Sequence, residues 1–202
     1  MRPILCLITD RARFGSDWAI RIPAQAAAAA RAGVQLIQVR EPDLDGGALL
    51  QLVRGCLEAV TGTGARVLVN DRVDVALAAG AHGVHLRARS MPASRVRGLA
   101  PRPFLVGQSV HHVEEAVSAA SAGDLDYLVF GTVFETASKP GREAAGLTAL
   151  AETARRVPIP VLAVGGMTVP RLAEVRAAGA AGAAAISLFA SIDSAGSVNM
   201  GR

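Results

Sequence analysis

The sequence predicts an α/β fold, a single small (β/α)8 (TIM) barrel, from three observations. Short β-branched runs alternate with Ala-rich helical stretches, at a spacing of about 20 to 30 residues along the chain. The strand runs are apolar almost throughout, the mark of parallel strands covered by helices on both faces. Eight such runs fit into 202 residues, which suits a closed barrel at the small end of its range. A doubly wound open sheet is the alternative, but no strand run leads into a G-x-G-x-x-G turn.

The elements follow in order. "ILCLIT" (4–9) is the first strand; the apolar run ends in charges rather than a small-residue cleavage site, so it does not read as a signal peptide. "DWAIRIPAQAAAAARAG" is the first helix. Then come "LIQVR" (36–40) with "GGALLQLVRGCLEAVTG", "RVLVN" (66–70) with "DVALAAG", and "GVHL" (83–86) with "PASRVRGLA". "FLVGQSV" (104–110) leads to "HVEEAVSAASAG", "YLVFGTV" (127–133) to "LTALAETARRV", and "VLAVGG" (161–166) to "TVPRLAEVRAAGA". "AAAISL" (183–188) is the last strand. Gly33, Gly80, Gly123 and Gly179 stand where helices end, as glycines that close a last turn in the left-handed conformation do. The residues after Phe189 are polar and rich in Gly and Ser. The barrel is therefore expected over 1–190, with the eighth helix shortened or absent and 191–202 a short polar tail.

Composition narrows the function. At 51% hydrophobic the chain is not disordered, and no apolar run reaches the roughly 18 residues needed to span a bilayer. The net charge is +4, the basic residues are scattered, and aromatics make up 3%. A nucleic-acid surface would need a basic stripe or stacking aromatics. A mild positive excess fits a small anionic substrate. Cys6 and Cys56 lack metal or redox spacing and read as buried thiols of a cytoplasmic protein.

In such a barrel the chemistry lies at the C-terminal ends of the strands. The polar residues expected there are Asp10, Gln38, Arg40, Asn70, Asp71, His85, Ser109, His111, Thr136, Ser138, Lys139, Gly165, Gly166 and Ser187. Nearly every strand contributes to one rim, and random surface polarity would scatter. Gln38 and Arg40 alternate with Ile37 and Val39, so both are expected to face the barrel interior, as a core hydrogen-bond pair or as a phosphate or carboxylate site. Asn70 and Asp71 suit either a helix cap or Mg²⁺. His85 is either a buried strand-end histidine or a catalyst. Gly165-Gly166 is either a tight turn or, with Ser187, a phosphate site on the side of the last two strands. Lys139 is the only lysine beside twenty arginines.

"LIQVRE", "LVNDRVDVALAAGAHGVHL", "VGQSVHHVEEA", "DYLVFGTVFETASKPG" and "IPVLAVGGMTVPRLAEVRAAGAAGAAAIS" together resemble, in order and spacing, the thiamine-phosphate synthase/TenI superfamily over residues 4 to 190. The resemblance implies a (β/α)8 barrel that binds thiazole phosphate at its rim. Synthases join that phosphate to a pyrimidine pyrophosphate with Mg²⁺ and release pyrophosphate; the TenI branch isomerises a thiazole carboxylate phosphate. It places Lys139, with Thr136 and Ser138, in a loop whose lysine contacts pyrophosphate. It places Gly165, Gly166 and Ser187 on the thiazole phosphate, matches Gln38 and Arg40 to a Gln-x-Arg-x-Lys pattern, and matches Asn70-Asp71 to a metal motif.

Three departures qualify it. Pro42 stands where the pattern has its Lys, and Ser90, flanked by Arg87 and Arg89, stands where a second metal Asp is expected. Both argue for the TenI-like branch, hence a tautomerase-type isomerase with no cofactor, Asp71 holding Mg²⁺ only in a synthase. The third departure cuts against that branch, because its acid-base histidine is Thr132 here. His85 and His111 are then the candidate bases, with an apparent pKa of roughly 6 to 7. The alternatives are the synthase transferase and a non-catalytic thiazole-phosphate-binding regulator. The expected partner is a small phosphorylated thiazole, without nucleic acid or membrane; a homo-oligomer is left open.

Overall fold

Each apolar run forms a parallel strand beside the one before it, and the eighth pairs with the first. The computed structural model describes residues 2–136, 141 and 143–189. The strands are β1 (Ile4–Ile8), β2 (Leu36–Val39), β3 (Arg66–Asn70), β4 (Gly83–Leu86), β5 (Leu105–Val110), β6 (Tyr127–Gly131), β7 (Val161–Val164) and β8 (Gly182–Ala185). They close into a barrel in chain order. The helices between them are α1 (Trp18–Arg31), α2 (Gly46–Ala59), α3 (Val73–Ala79), α4 (Ala93–Leu99), α5 (Val113–Ser121), α6 (Gly146–Arg156) and α7 (Val169–Ala177). Beyond β8 the described chain makes one 3-10 turn, Ser187–Phe189. The expected tail, with Ser138 and Lys139, lies outside the described residues.

The period of two along each strand separates two cores. Outward-facing Leu7, Ile37, Val67, Val84, Leu128 and Ala163 pack against the helices. Inward-facing Cys6, Ile8, Leu36, Leu68, Tyr127, Val129, Leu162 and Ala184 fill the barrel itself. Both cysteines are buried and free, Cys6 inside the barrel and Cys56 on the inner face of α2.

Several strand runs end earlier than the apolar pattern suggests, the last by the most, at Ala185 where 188 was expected. "VLAVGG" leaves the sheet at Val164 because Gly165 and Gly166 turn to φ 100° and 62°. "LIQVR" ends at Val39, so Arg40 lies beyond the strand and is exposed. The expectation that Arg40 faces the interior beside Gln38 is corrected: only Gln38 is buried.

The barrel is narrow, and glycine makes room where strands crowd. A Cβ on Gly182 would lie 1.8 Å from the carbonyl oxygen of Ile4, at the seam between β8 and β1. Gly98, by contrast, sits within α4 with nothing inside 4 Å of a Cβ. Gly182→Ala is expected to destabilise the protein by about 2 to 3 kcal/mol, and Gly98→Ala to stabilise it by about 0.5 to 1 kcal/mol. Urea denaturation of the two variants beside the parent checks both signs.

Candidate functional site

The last inward-facing positions of β2 to β5 are polar, and the register places them side by side. Gln38 on β2 is buried and donates from Nε2 to Asn70 Oδ1 on β3 at 3.0 Å. Asn70 is the register partner of His85 on β4. His85 Nε2 lies 2.8 Å from Ser109 Oγ on β5, and its Nδ1 lies 3.0 Å from the Tyr127 hydroxyl on β6. Gln38, Asn70, His85 and Ser109 thus form the polar belt that the strand-end pattern foreshadows.

His85 itself lies deeper than expected. It is 2% exposed, with both ring nitrogens engaged. Burial pushes its pKa down to about 4, because the cationic form would lose its hydration. The expectation of an open-rim base titrating near 6 to 7 at this position is corrected. His85 is a neutral imidazole near pH 7.

His111 does stand just past β5, half-buried, with Nδ1 against the carbonyl oxygen of Gly131 and its N–H donating to Glu115 Oε2 at 2.7 Å. It borders a cavity of about 370 Å³ together with His112, Gly131, Thr132 and Glu143. Thr132, at the position where a tautomerase histidine was sought, is 5% exposed and packs under Gly165. A Cβ on Gly165 would meet Thr132 Cγ2 at 2.4 Å. His82 lies at the opposite end, where its Nδ1 accepts from Val67 N–H at 3.0 Å.

Gly165 and Gly166 form the corner between β7 and α7. Their left-handed backbone brings the chain tight against the loop after β6: a Cβ on Gly166 would lie 2.5 Å from the Glu135 carbonyl oxygen. Arg171 fixes the corner, donating from Nη1 to Gly166 O at 2.6 Å while its guanidinium stacks 4.4 Å from the Phe134 ring centroid. Thr168 caps α7 by accepting from Arg171 N–H. Ser187 is exposed just past β8, the neighbouring strand, and Thr136 is partly buried in the loop after β6. The loop residues Ser138 and Lys139 cannot be set against this corner, being outside the described set.

Asp71 adopts φ 64° and donates its N–H to His85 O at 2.9 Å. One carboxylate oxygen accepts from Arg87 Nη2 and the other from Ser90 Oγ. Among the described residues no group of three or more His, Cys, Asp or Glu comes together that could hold a metal ion. Mg²⁺ takes near-octahedral oxygen ligands, and here one carboxylate already carries a guanidinium. The residues present do not fit that ion.

Three partners escaped the sequence reading. Tyr127 resembles any aromatic in a strand. Arg87 meets a carboxylate sixteen residues earlier in the chain. Glu41 is 5% exposed, accepts from Thr9 Oγ1 at 2.5 Å and from Arg11 N–H at 3.1 Å, and so clasps the loops after β1 and β2. Burial pushes its carboxyl pKa up, partly offset by the Thr9 hydrogen bond. The sequence "VRE" carries no signal for it; the structure buries Val39 and Glu41 and exposes Arg40 between them.

The buried imidazole makes stability depend on pH. Between about pH 4 and 6.5 the unfolded chain holds a proton on His85 that the folded protein refuses, so stability falls as pH drops through that window. The full span corresponds to about 3 kcal/mol. Unfolding free energies from urea denaturation at pH 7 and pH 4 are expected to differ less in His85→Gln than in the parent, by an amount of that order.

The family model described as thiamine monophosphate synthase matches residues 5–189. A putative thiamine-phosphate synthase of Geobacter sulfurreducens is 43% identical over 184 residues, covering 91% of this chain and 84% of that protein. A thiamine-phosphate synthase of Methanoculleus marisnigri is 45% identical over 163 residues, 79% of this chain and 75% of its own. Among solved structures, the thiamine phosphate pyrophosphorylase of Pyrococcus furiosus superposes with a TM-score of 0.82 at 31% identity, covering 98% of this chain and 92% of that one. These names are those of synthases; they do not single out the tautomerase-like branch to which Pro42 and Ser90 pointed. The chain belongs to the thiamine monophosphate synthase family.

Proposed function

We propose that the protein is a thiamine-phosphate synthase, joining hydroxymethylpyrimidine pyrophosphate to thiazole phosphate at the barrel mouth and releasing pyrophosphate. The observation that carries this reading is the polar belt at the ends of β2 to β5 in a chain 43% identical to a putative synthase. The isomerase reading loses its support at Thr132, a buried threonine that cannot act as a base near neutral pH.

The belt gives Ser109 a defined role. Burial raises the Tyr127 pKa well above its usual value, so the side chain is a phenol with a proton to donate. Its partner is His85 Nδ1. The proton on the ring then sits on Nε2 and is donated to Ser109 Oγ, an assignment made from the hydrogen-bond network. Ser109 is left free to turn its own hydroxyl proton toward an anionic oxygen of the substrate. At the other side of the mouth, the Gly165-Gly166 turn and Ser187 receive the thiazole phosphate; the family resemblance assigns the pyrophosphate contact to Lys139, which lies outside the described residues. In the reaction the thiazole nitrogen forms the new bond to the pyrimidine methylene while the methylene–oxygen bond breaks and pyrophosphate leaves. The chain's part is to hold the two substrates in line and to stabilise the departing anion.

The test is pyrophosphate release from the two substrates by purified protein. Release is expected, and Ser109→Ala is expected to lower kcat/KM roughly 10- to 100-fold, the effect of losing one hydrogen bond to a charged group. Gly166→Asp is expected to raise KM for thiazole phosphate at least tenfold, because a carboxylate enters a crowded anion corner. A change of ring absorbance with thiazole carboxylate phosphate alone, and no pyrophosphate release, would establish the isomerase instead.

A further inference from the structure

Both carboxylate oxygens of Asp71 are engaged within the protein. Residues 87–90 form a closed turn: Ser90 N–H donates to Arg87 O at 3.0 Å, and Arg87 N–H donates to Ser90 Oγ at 2.8 Å. That turn delivers the Arg87 guanidinium and the Ser90 hydroxyl to the two oxygens of one carboxylate. Asp71 is mostly buried, with 19% of its side chain exposed, whereas 65% of the Arg87 side chain is exposed. The guanidinium is thus anchored at one edge and open at the other. It has five N–H donors in a planar fork, and the Asp71 bond uses one of them. Such a fork matches the oxygens of a diphosphate.

We propose that Arg87 takes, at Asp71, the place a divalent cation would need, so that the diphosphate end of the substrate binds to a fixed arginine without a metal. The identity of that ligand rests on the synthase reading; the Asp71–Arg87–Ser90 arrangement does not. Ser90 is integral to the device. A carboxylate at that position would bring a second negative charge to Asp71 and recreate a cation site, while a hydroxyl donates to Asp71 and leaves its one charge to the arginine.

Two binding measurements on the full chain test the proposal, and neither involves turnover. In the first, Mn²⁺ binding is followed by electron paramagnetic resonance. Arg87→Ala/Ser90→Asp is expected to bind Mn²⁺ at least tenfold more tightly than the parent. A parent that takes up Mn²⁺ as tightly as this double variant, and loses it in Asp71→Asn, overturns the proposal. In the second, inorganic pyrophosphate is titrated calorimetrically in the presence of EDTA. Arg87→Gln is expected to weaken binding at least tenfold, and Arg155→Gln, the same charge change on the exposed face of α6, to leave it unchanged. Equal affinity in Arg87→Gln and parent, or no pyrophosphate binding by the parent in EDTA, overturns it. If both measurements come out as expected and the two-substrate assay still shows no release, the synthase reading fails alone.

Discussion

The buried histidine of this barrel, and the serine it holds, depend on one packing constraint, the space that Gly107 leaves for Tyr127. A Cβ at Gly107 would fall 2.1 Å from Cζ of the tyrosine, so only glycine at this place on β5 leaves room for the ring. The ring then carries its hydroxyl to His85. A histidine buried without a partner would cost a few kcal/mol in lost hydrogen bonds; with Tyr127 below and Ser109 above, both nitrogens are satisfied. Steric vacancy at Gly107 therefore acts through Tyr127 on β6 and His85 on β4 to reach the hydroxyl of Ser109, back on β5 itself.

The mouth divides by charge management. On the side of β7 and β8, a left-handed glycine corner is braced by Arg171, which donates to Gly166 O. On the side of β3 and β4, mostly buried Asp71 is paired with an arginine held mostly in solvent. Between β1 and β2 a second acid, Glu41, is turned away from the mouth's chemistry and used as a clasp for two loops. Neighbouring carboxylates at one rim thus serve different ends because their neighbours differ, and sequence position alone does not separate them.

The eight strands were legible because their apolar runs are short and regular, and the structure shifts their ends by no more than three residues. The belt was legible for the same reason: Gln38, Asn70, His85 and Ser109 each keep the strand period and break its apolar character. What the period could not convey was depth. His85 and Arg40 both occupy strand ends, yet one is sealed in the interior and the other stands in solvent, since β4 continues for a residue past His85 and β2 stops before Arg40. Nor could it convey partners from other loops. The Arg87–Asp71 pair arises from the turn at 87–90 folding over β3, a geometry with no local signature beyond the absence of a carboxylate at Ser90.

The two buried thiols give the fold a built-in clock. Burial pushes both pKa values up to about 12, so almost no thiolate is present near neutrality and alkylating reagents find nothing to attack in the closed molecule. The two sulfurs answer to different openings. Cys56 becomes reachable once α2 lifts from the sheet, whereas Cys6, facing the barrel interior, is reached only when strands part. The ratio of their labelling rates therefore separates detachment of one helix from rupture of the barrel, in a chain that carries no engineered reporter.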